Sequence, residues 1–103
     1  MSAGIVETTA IDAKDMLDQP WVLSPRVALR PEPFGALAYH FGNRRLSFLK
    51  RRDLVDVVEA LGESPSVRDA LESQQVDVAK WPAYLSALSG LARADMICPR
   101  TTN

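Results

Sequence analysis

Two side chains of this 103-residue sequence could act as a nucleophile and a base, and each occurs only once. Cys98 is the only cysteine and His40 is the only histidine. A Cys–His nucleophilic centre needs both groups side by side, but here one falls in a predicted strand and the other near a polar terminus. Metal sites usually require three or four ligands. We therefore expect no catalytic residue, no bound metal and no cofactor.

Charged residues are segregated along the chain, although the net charge is only −1. Five basic residues occur without an intervening acid: Arg44, Arg45, Lys50, Arg51 and Arg52. An acidic stretch follows, with Asp53, Asp56, Glu59, Glu63, Asp69, Glu72 and Asp77. The basic cluster is either a solvated surface or a rim that attracts an acidic peptide, and composition leaves both interpretations open. A net charge this small does not favour nucleic acid or a membrane as partner.

Three antiparallel strands are predicted in the first half of the chain. Residues 22–30 are rich in β-branched and apolar side chains, but Pro25 suits only an edge strand or a bulge. Residues 35–41 and 45–49 flank Gly42-Asn43, which is a signal for a two-residue hairpin turn. These features predict a hairpin preceded by an edge strand.

The hairpin register follows from that turn. It pairs Phe41 with Arg44, Tyr39 with Leu46, and Leu37 with Phe48. Since side chains alternate between the two faces of a strand, these residues share one face, which is apolar except for Arg44. The opposite face carries small or polar residues: Ala36, Ala38, His40, Arg45 and Ser47. Such alternation is typical of a half-buried antiparallel sheet.

Three helices are predicted to follow the strands. The spacing of Leu54, Val57, Val58 and Leu61 is helical. Ser66 and Asp69 resemble a capping box that opens a short second helix. A longer third helix carries Trp81, Tyr84, Leu85, Leu88, Leu91 and Ala92. The predicted fold is an α+β, winged helix-turn-helix-like domain with three antiparallel strands followed by three helices.

The domain is expected to span residues 21–98, between a flexible arm at residues 1–20 and a disordered tail at residues 99–103. The longest apolar runs are far shorter than the roughly 20 residues of a membrane-spanning helix. The N-terminal residues also lack the pattern of a signal peptide. A single cysteine rules out an intrachain disulfide, and a cytoplasmic location is the simplest interpretation.

The hairpin segment GALAYHFGNRRLSFLK, residues 35–50, strongly resembles the peptide chaperone family of the mycofactocin system. Trp81-Pro82 and the spacing of Leu85, Leu88 and Leu91 fit the same family. The resemblance covers roughly residues 21–98. The family is similar to the pyrroloquinoline-quinone chaperones and to the wider group of recognition elements for ribosomally made precursor peptides.

The resemblance implies a winged-helix-like chaperone without catalytic activity. Such a protein binds a precursor peptide as a strand added beside its third strand and facing its third helix. It delivers the peptide to a radical S-adenosylmethionine enzyme, to which the iron–sulfur chemistry belongs. Carried over, the peptide-binding residues are Arg45, Leu46, Ser47, Phe48, Leu49, Trp81, Tyr84, Leu85 and Leu88. The charge pattern adds a basic rim to this site, formed by Arg44, Lys50, Arg51 and Arg52.

Two other functions remain open at this point. A DNA-binding winged helix has the same element order, but the predicted third helix offers only Lys80 and Arg93 at its ends as phosphate contacts. A dimerisation or adaptor module is the other alternative. The exposed edge strand also allows homodimerisation when no peptide is bound.

Overall fold

Residues 16–100 are described in the computed structural model, and they include two small antiparallel sheets and three α-helices. The strands are β1 (Trp21–Leu23), β2 (Val27–Glu32), β3 (Gly35–His40), β4 (Leu46–Leu49) and β5 (Ile97–Pro99). The helices are α1 (Arg52–Ala60), α2 (Val67–Ser73) and α3 (Trp81–Arg93), with short 3-10 turns at Leu61–Glu63 and Val78–Lys80. The predicted α+β class with antiparallel strands and three helices is confirmed.

The number of strands differs from the prediction: the structure has five where three were expected. The segment at residues 22–30 is split at Pro25, where the amides of Arg26 and Val27 donate to the side-chain and backbone oxygens of Ser24 at 3.2 and 3.0 Å. The half before this turn becomes β1, which pairs with the unpredicted β5. The half after it becomes β2, an edge strand of the sheet β2-β3-β4.

The hairpin register is confirmed, since Tyr39 pairs with Leu46 and Leu37 pairs with Phe48. The turn is not one of the two favoured two-residue types, because both require left-handed backbone at the first central residue and Gly42 does not have it. Here the left-handed residue is Arg44, with φ 63°. The turn is closed by the His40 imidazole, whose Nδ1 accepts hydrogen bonds from the amides of Gly42 and Asn43 at 2.9 and 3.1 Å.

One face of the hairpin is buried and the other is exposed, as expected for a half-buried sheet, but the buried face is the one with small side chains. Ala36, Ala38 and Leu49 lie in the core, whereas Leu46 and Phe48 on the opposite face are exposed. Helix α1 packs against β3 and β4. Small side chains on these strands allow the helix backbone to approach closely, so the larger apolar side chains point outward.

The three helices form the other half of the core, and their predicted apolar residues lie inside it, except for Leu54, which is half-buried. Val57 and Val58 of α1 are buried, and so are Trp81, Tyr84, Leu85, Leu88, Leu91 and Ala92 of α3. The predicted cap of α2 is present, because Ser66 Oγ accepts from the Asp69 amide at 3.3 Å. No helix within residues 16–100 has the length and apolar character needed to cross a membrane.

The folded region extends beyond residues 21–98 at both ends. Met16 is fully buried. The Arg100 amide donates to Pro20 O at 2.9 Å. The Arg100 guanidinium also donates to the carbonyls of Leu61, Gly62 and Ser64, at 3.2, 2.9 and 2.8 Å. Residues 1–15 and 101–103, where the rest of the expected arm and tail falls, lie outside the described residues.

Candidate functional site

Strand β4 has one paired edge and one open edge. It pairs with β3, and no other strand within residues 16–100 pairs with it. On β3, the His40 amide donates toward β4, to Arg45 O, while the next amide, that of Phe41, donates the opposite way, to Arg26 O. Because this direction alternates along a strand, the amides and carbonyls of Leu46 and Phe48 point to the open edge. An edge of this kind can accept a further strand.

The side chains of β4 are divided between the two faces of the sheet. Leu46 and Phe48 are exposed, Ser47 is half-buried and Leu49 is in the core. Arg45 is exposed, and its amide donates to Asn43 Oδ1 at 2.8 Å. Of the five residues predicted to bind a peptide here, Leu49 thus has a side chain that is inaccessible, although its backbone remains part of the strand.

The four predicted residues of α3 belong mainly to the core. Trp81, Tyr84, Leu85 and Leu88 are all buried. The Trp81 Nε1–H donates to Val76 O at 3.0 Å. Tyr84 contacts the basic cluster, because the Arg51 guanidinium lies 5.6 Å from its ring centroid. This cation–π contact joins the segment after β4 to α3.

A shallow cleft of about 170 Å³ separates the start of α1 from α3. It is lined by Arg51, Leu54, Ala83, Tyr84 and Ala87. Ala83 and Ala87 were not among the predicted site residues. Their spacing of four, next to Tyr84, is the sequence signal that puts them on one helical face, and their small side chains leave the space that forms the cleft.

The predicted basic rim is exposed, and one of its members, Arg51, lines this cleft. Arg44, Lys50, Arg51 and Arg52 all lie at the surface. Arg51 pairs with Asp53 at 3.3 Å, with both side chains more than half exposed, so the pair contributes little to stability. On the other side of Tyr84, a second hollow of about 230 Å³ is acidic, with Asp53, Asp56 and Asp77 beside Lys80. Tyr84 therefore lies at a boundary between positive and negative surface.

The two candidates for covalent chemistry are on different sheets. His40 is buried at the end of β3 with its Nδ1 already accepting two hydrogen bonds. Cys98 is a partly buried residue of β5, opposite Val22 of β1. Within residues 16–100, no group of three or more His, Cys, Asp or Glu residues is arranged to hold a metal ion.

Residues 20–98 match the model of the peptide chaperone MftB family. The chain belongs to this family. It is 52% identical over 85 residues to a peptide chaperone MftB of Mycobacterium tuberculosis (strain ATCC 25618 / H37Rv), covering 82% of this chain and 78% of the relative. It is 44% identical over 99 residues to the peptide chaperone MftB of Mycolicibacterium smegmatis (strain ATCC 700084 / mc(2)155), covering 96% and 93% of the two chains. No solved structure gives a significant match.

Membership of the MftB family confirms the resemblance carried by the hairpin segment. It also confirms that the chain is not an enzyme, because a peptide chaperone has a non-catalytic role. The role of His40 is structural, because its Nδ1 accepts the two amide hydrogen bonds that close the hairpin turn.

Proposed function

We propose that this peptide chaperone binds a ribosomally made precursor peptide as a strand on the open edge of β4. The observation that carries the proposal is the pair of outward-pointing backbone amides and carbonyls at Leu46 and Phe48, on an edge that no other strand in residues 16–100 covers. In strand addition, backbone hydrogen bonds give affinity, and pockets for alternate side chains give specificity.

The cleft beside α3 is suited to provide specificity, as a pocket for side chains of the peptide. Alternate side chains of an added strand point to one side of the sheet. On the core side of β4, that direction leads toward the start of α1 and α3, where Leu54, Ala83 and Ala87 line an apolar depression. Tyr84 forms part of its wall, whereas Trp81, Leu85 and Leu88 support that wall from within the core.

The basic rim supports an acid-rich peptide as the ligand. Arg44, Lys50, Arg51 and Arg52 follow the chain from the hairpin turn to the start of α1. Exposed charges of one sign beside a binding site mainly accelerate association with a ligand of opposite charge. The rim would thus guide a negatively charged leader segment toward the open edge of β4.

We further infer that the bound peptide is presented to a radical S-adenosylmethionine maturation enzyme in mycofactocin biosynthesis, in the cytoplasm. Membership of a peptide chaperone family supports this role. In this proposal the fold is winged-helix-like, with the β3–β4 hairpin as the wing and α2 and α3 as the helix-turn-helix pair.

Amide hydrogen exchange resolved by residue tests strand addition. On addition of the precursor peptide, the amides of Leu46 and Phe48 should gain protection, because they become donors to the new strand. The amides of Ser47 and Leu49 should change less, since they already face β3. Leu29, an outward-pointing amide on β2, is the matched control and should not respond.

A uniform change across α2 without any at β4 would disprove binding at this edge. Protection that alternates along β4 would instead support an added strand, because contact through side chains alone has no reason to follow the alternation of backbone donors.

A further inference from the structure

Five large apolar side chains are exposed within residues 16–100, and four of them lie in the strands or turns of one sheet. They are Phe34, Phe41, Leu46 and Phe48, exposed by 45%, 62%, 56% and 60%, while the fifth, Val78, is on the link before α3. Contiguous exposed apolar surface of this kind usually marks an interaction site. Because four exposed apolar side chains lie together on one sheet, we expect this surface to have a function.

All four side chains belong to the same face of the sheet. Leu37 pairs with Phe48 and Tyr39 pairs with Leu46, so these residues project together. At one end, Phe34 packs edge-on against Phe48 with ring centroids 6.0 Å apart. At the other end, Tyr39 and Phe41 pack edge-on at 5.2 Å. We call this surface the outer face; its members are Phe34, Leu37, Tyr39, Phe41, Leu46 and Phe48.

Positive charge borders the outer face. Arg30 lies beside Leu37 and Tyr39 in one shallow hollow. Lys50 lies beside Phe34 and Phe48 in another. Glu32, 4.0 Å from Arg30, is an acidic residue on the same side, and it is less exposed than Arg30. The surface therefore has an apolar centre with a net positive border.

An added peptide strand is too narrow to cover this surface. Neighbouring strands are about 4.8 Å apart, so a strand beside β4 lies roughly 10 Å from β3. Its side chains can reach Leu46 and Phe48 of β4, but not Tyr39 or Phe41 at the far side of the hairpin. A second copy of this chain would bring two positive borders together, which is unfavourable.

We propose that the outer face docks a folded partner protein with an apolar centre bordered by carboxylates, and that this partner is the maturation enzyme. The identity of the partner rests on the proposed function, whereas the surface itself does not. The outer face shares Leu46 and Phe48 with the peptide-binding edge but extends across β3 to Tyr39 and Phe41. Enzyme and peptide can therefore be bound side by side, which is what presentation of a peptide requires.

The test compares two variants of the full chain. Phe34→Ser with Phe41→Ser removes both ends of the outer face without altering residues assigned to the peptide site. Val78→Ser is the matched control, since Val78 is 66% exposed but lies away from the sheet. Binding to the purified maturation enzyme is measured by calorimetry, binding to the precursor peptide by fluorescence anisotropy, and self-association by sedimentation.

We expect the double variant to bind the enzyme at least tenfold more weakly and the peptide within twofold of wild type, with Val78→Ser unchanged in both. Equal enzyme affinity in wild type and double variant overturns the proposal, as does a wild type that does not bind the enzyme at all. A wild-type dimer that the double variant abolishes would reassign the outer face to a second copy. If the wild type binds the enzyme but not the precursor peptide, the result contradicts the proposed function and leaves the docking surface supported.

Unfolding midpoints and circular dichroism verify that both variants remain folded. Reversing the border charge with Arg30→Glu gives an independent measurement. It should weaken enzyme binding several-fold, most strongly at low salt, if carboxylates of the partner surround the apolar centre. Tighter binding by Arg30→Glu would overturn the proposed chemistry of the partner.

Discussion

The two outer edges of the three-stranded sheet are equally available in topology but differ in chemistry. On β2 the outward positions are Val27, Leu29 and Pro31. The Val27 amide already donates to Ser24 O at 3.0 Å, and proline has no amide proton. On β4 both outward residues, Leu46 and Phe48, keep an amide and a carbonyl available. One edge is therefore blunted and the other is open.

This difference shows how a small sheet can be restricted to a single strand partner. A proline at an outward position is a common way to protect an edge from unwanted pairing. Because β2 is protected in this way, we expect strand addition to be confined to β4, the strand that leads through Lys50 to Arg51 at the cleft. In the proposed mode of binding, specificity would begin with the backbone, before any side chain is considered.

The largest expected effect comes from a change that displaces β4 from β3. Gly35 has φ +149°, and a Cβ built on it would lie 2.1 Å from Leu49 O. Gly35→Ala should lower the free energy of unfolding by roughly 3 kcal/mol, the upper end of the range for strained backbone, because the β3–β4 junction must separate. Chemical denaturation measures this loss.

Gly90→Ala is the matched control for Gly35→Ala, since a Cβ at Gly90 meets nothing within 4 Å. Alanine is a better helix former than glycine, so this variant should gain roughly 0.5–1 kcal/mol. Equal stability of Gly35→Ala and wild type would show that the close approach of Gly35 to β4 is dispensable.

The next largest effect is expected from a variant that makes the two edges alike, by placing a proline at an outward position of β4 as on β2. Phe48→Pro deletes one outward amide and should weaken peptide binding at least tenfold, because a carbonyl of the peptide loses its donor. Phe48→Ala keeps the amide and is the matched control, so the ratio of the two dissociation constants isolates the backbone contribution. Identical affinities of the two variants would contradict strand addition at β4.

A smaller effect is expected when β2 is unblocked. Pro31→Ala restores an outward amide but removes the restriction that proline places on the unfolded chain, which costs about 0.4–1 kcal/mol of stability. Peptide affinity should stay within twofold of wild type, and the new amide at position 31 should remain unprotected when peptide binds. Protection at that position in hydrogen exchange would mean that β2 can also accept the peptide.

The smallest effect concerns the basic rim. Arg51→Gln with Arg52→Gln should slow peptide association and flatten its salt dependence, at a cost of about 0.2–1 kcal/mol per exposed charge. Dissociation should change less, because the backbone bonds persist. Stopped-flow binding at several salt concentrations measures both rates. Arg26→Gln with Arg30→Gln, on the β2 side, is the matched control and should leave both rates unchanged.

The sequence predicts the hairpin register because the turn and the alternation of apolar residues agree on the pairing of Tyr39 with Leu46. It does not predict which face is buried. The apolar face, with Leu37 and Phe48, has the composition of a core, whereas Ala36 and Ala38 reveal their burial only once a helix is known to pack closely on them. Burial of small residues is a property of the tertiary arrangement rather than of the strand.

The same limit applies to the candidate site. The open edge at β4 follows from the order of the strands, which the hairpin pattern supplies. The wall of the cleft cannot be predicted from the order of the strands, because Ala83 and Ala87 become distinctive only through the space they leave beside Tyr84. The interruption at Pro25 is evident from the sequence. The assignment of its two halves to different sheets is not, since it depends on β5, which pairs with β1 from the other end of the folded region.

The pairing of β1 with β5 brings the two ends of the folded region together, with Pro20 O and the Arg100 amide 2.9 Å apart. Met16 lies one turn before Pro20, since the Gln19 amide donates to Met16 O at 3.1 Å. A short linker can therefore join residue 100 to residue 16, and the chain can be reopened between the exposed Gln74 and Gln75. Such a circular permutant retains every strand of both sheets. For the same reason the whole unit can be inserted into a surface loop of another protein, because adjacent ends do not force the host loop apart.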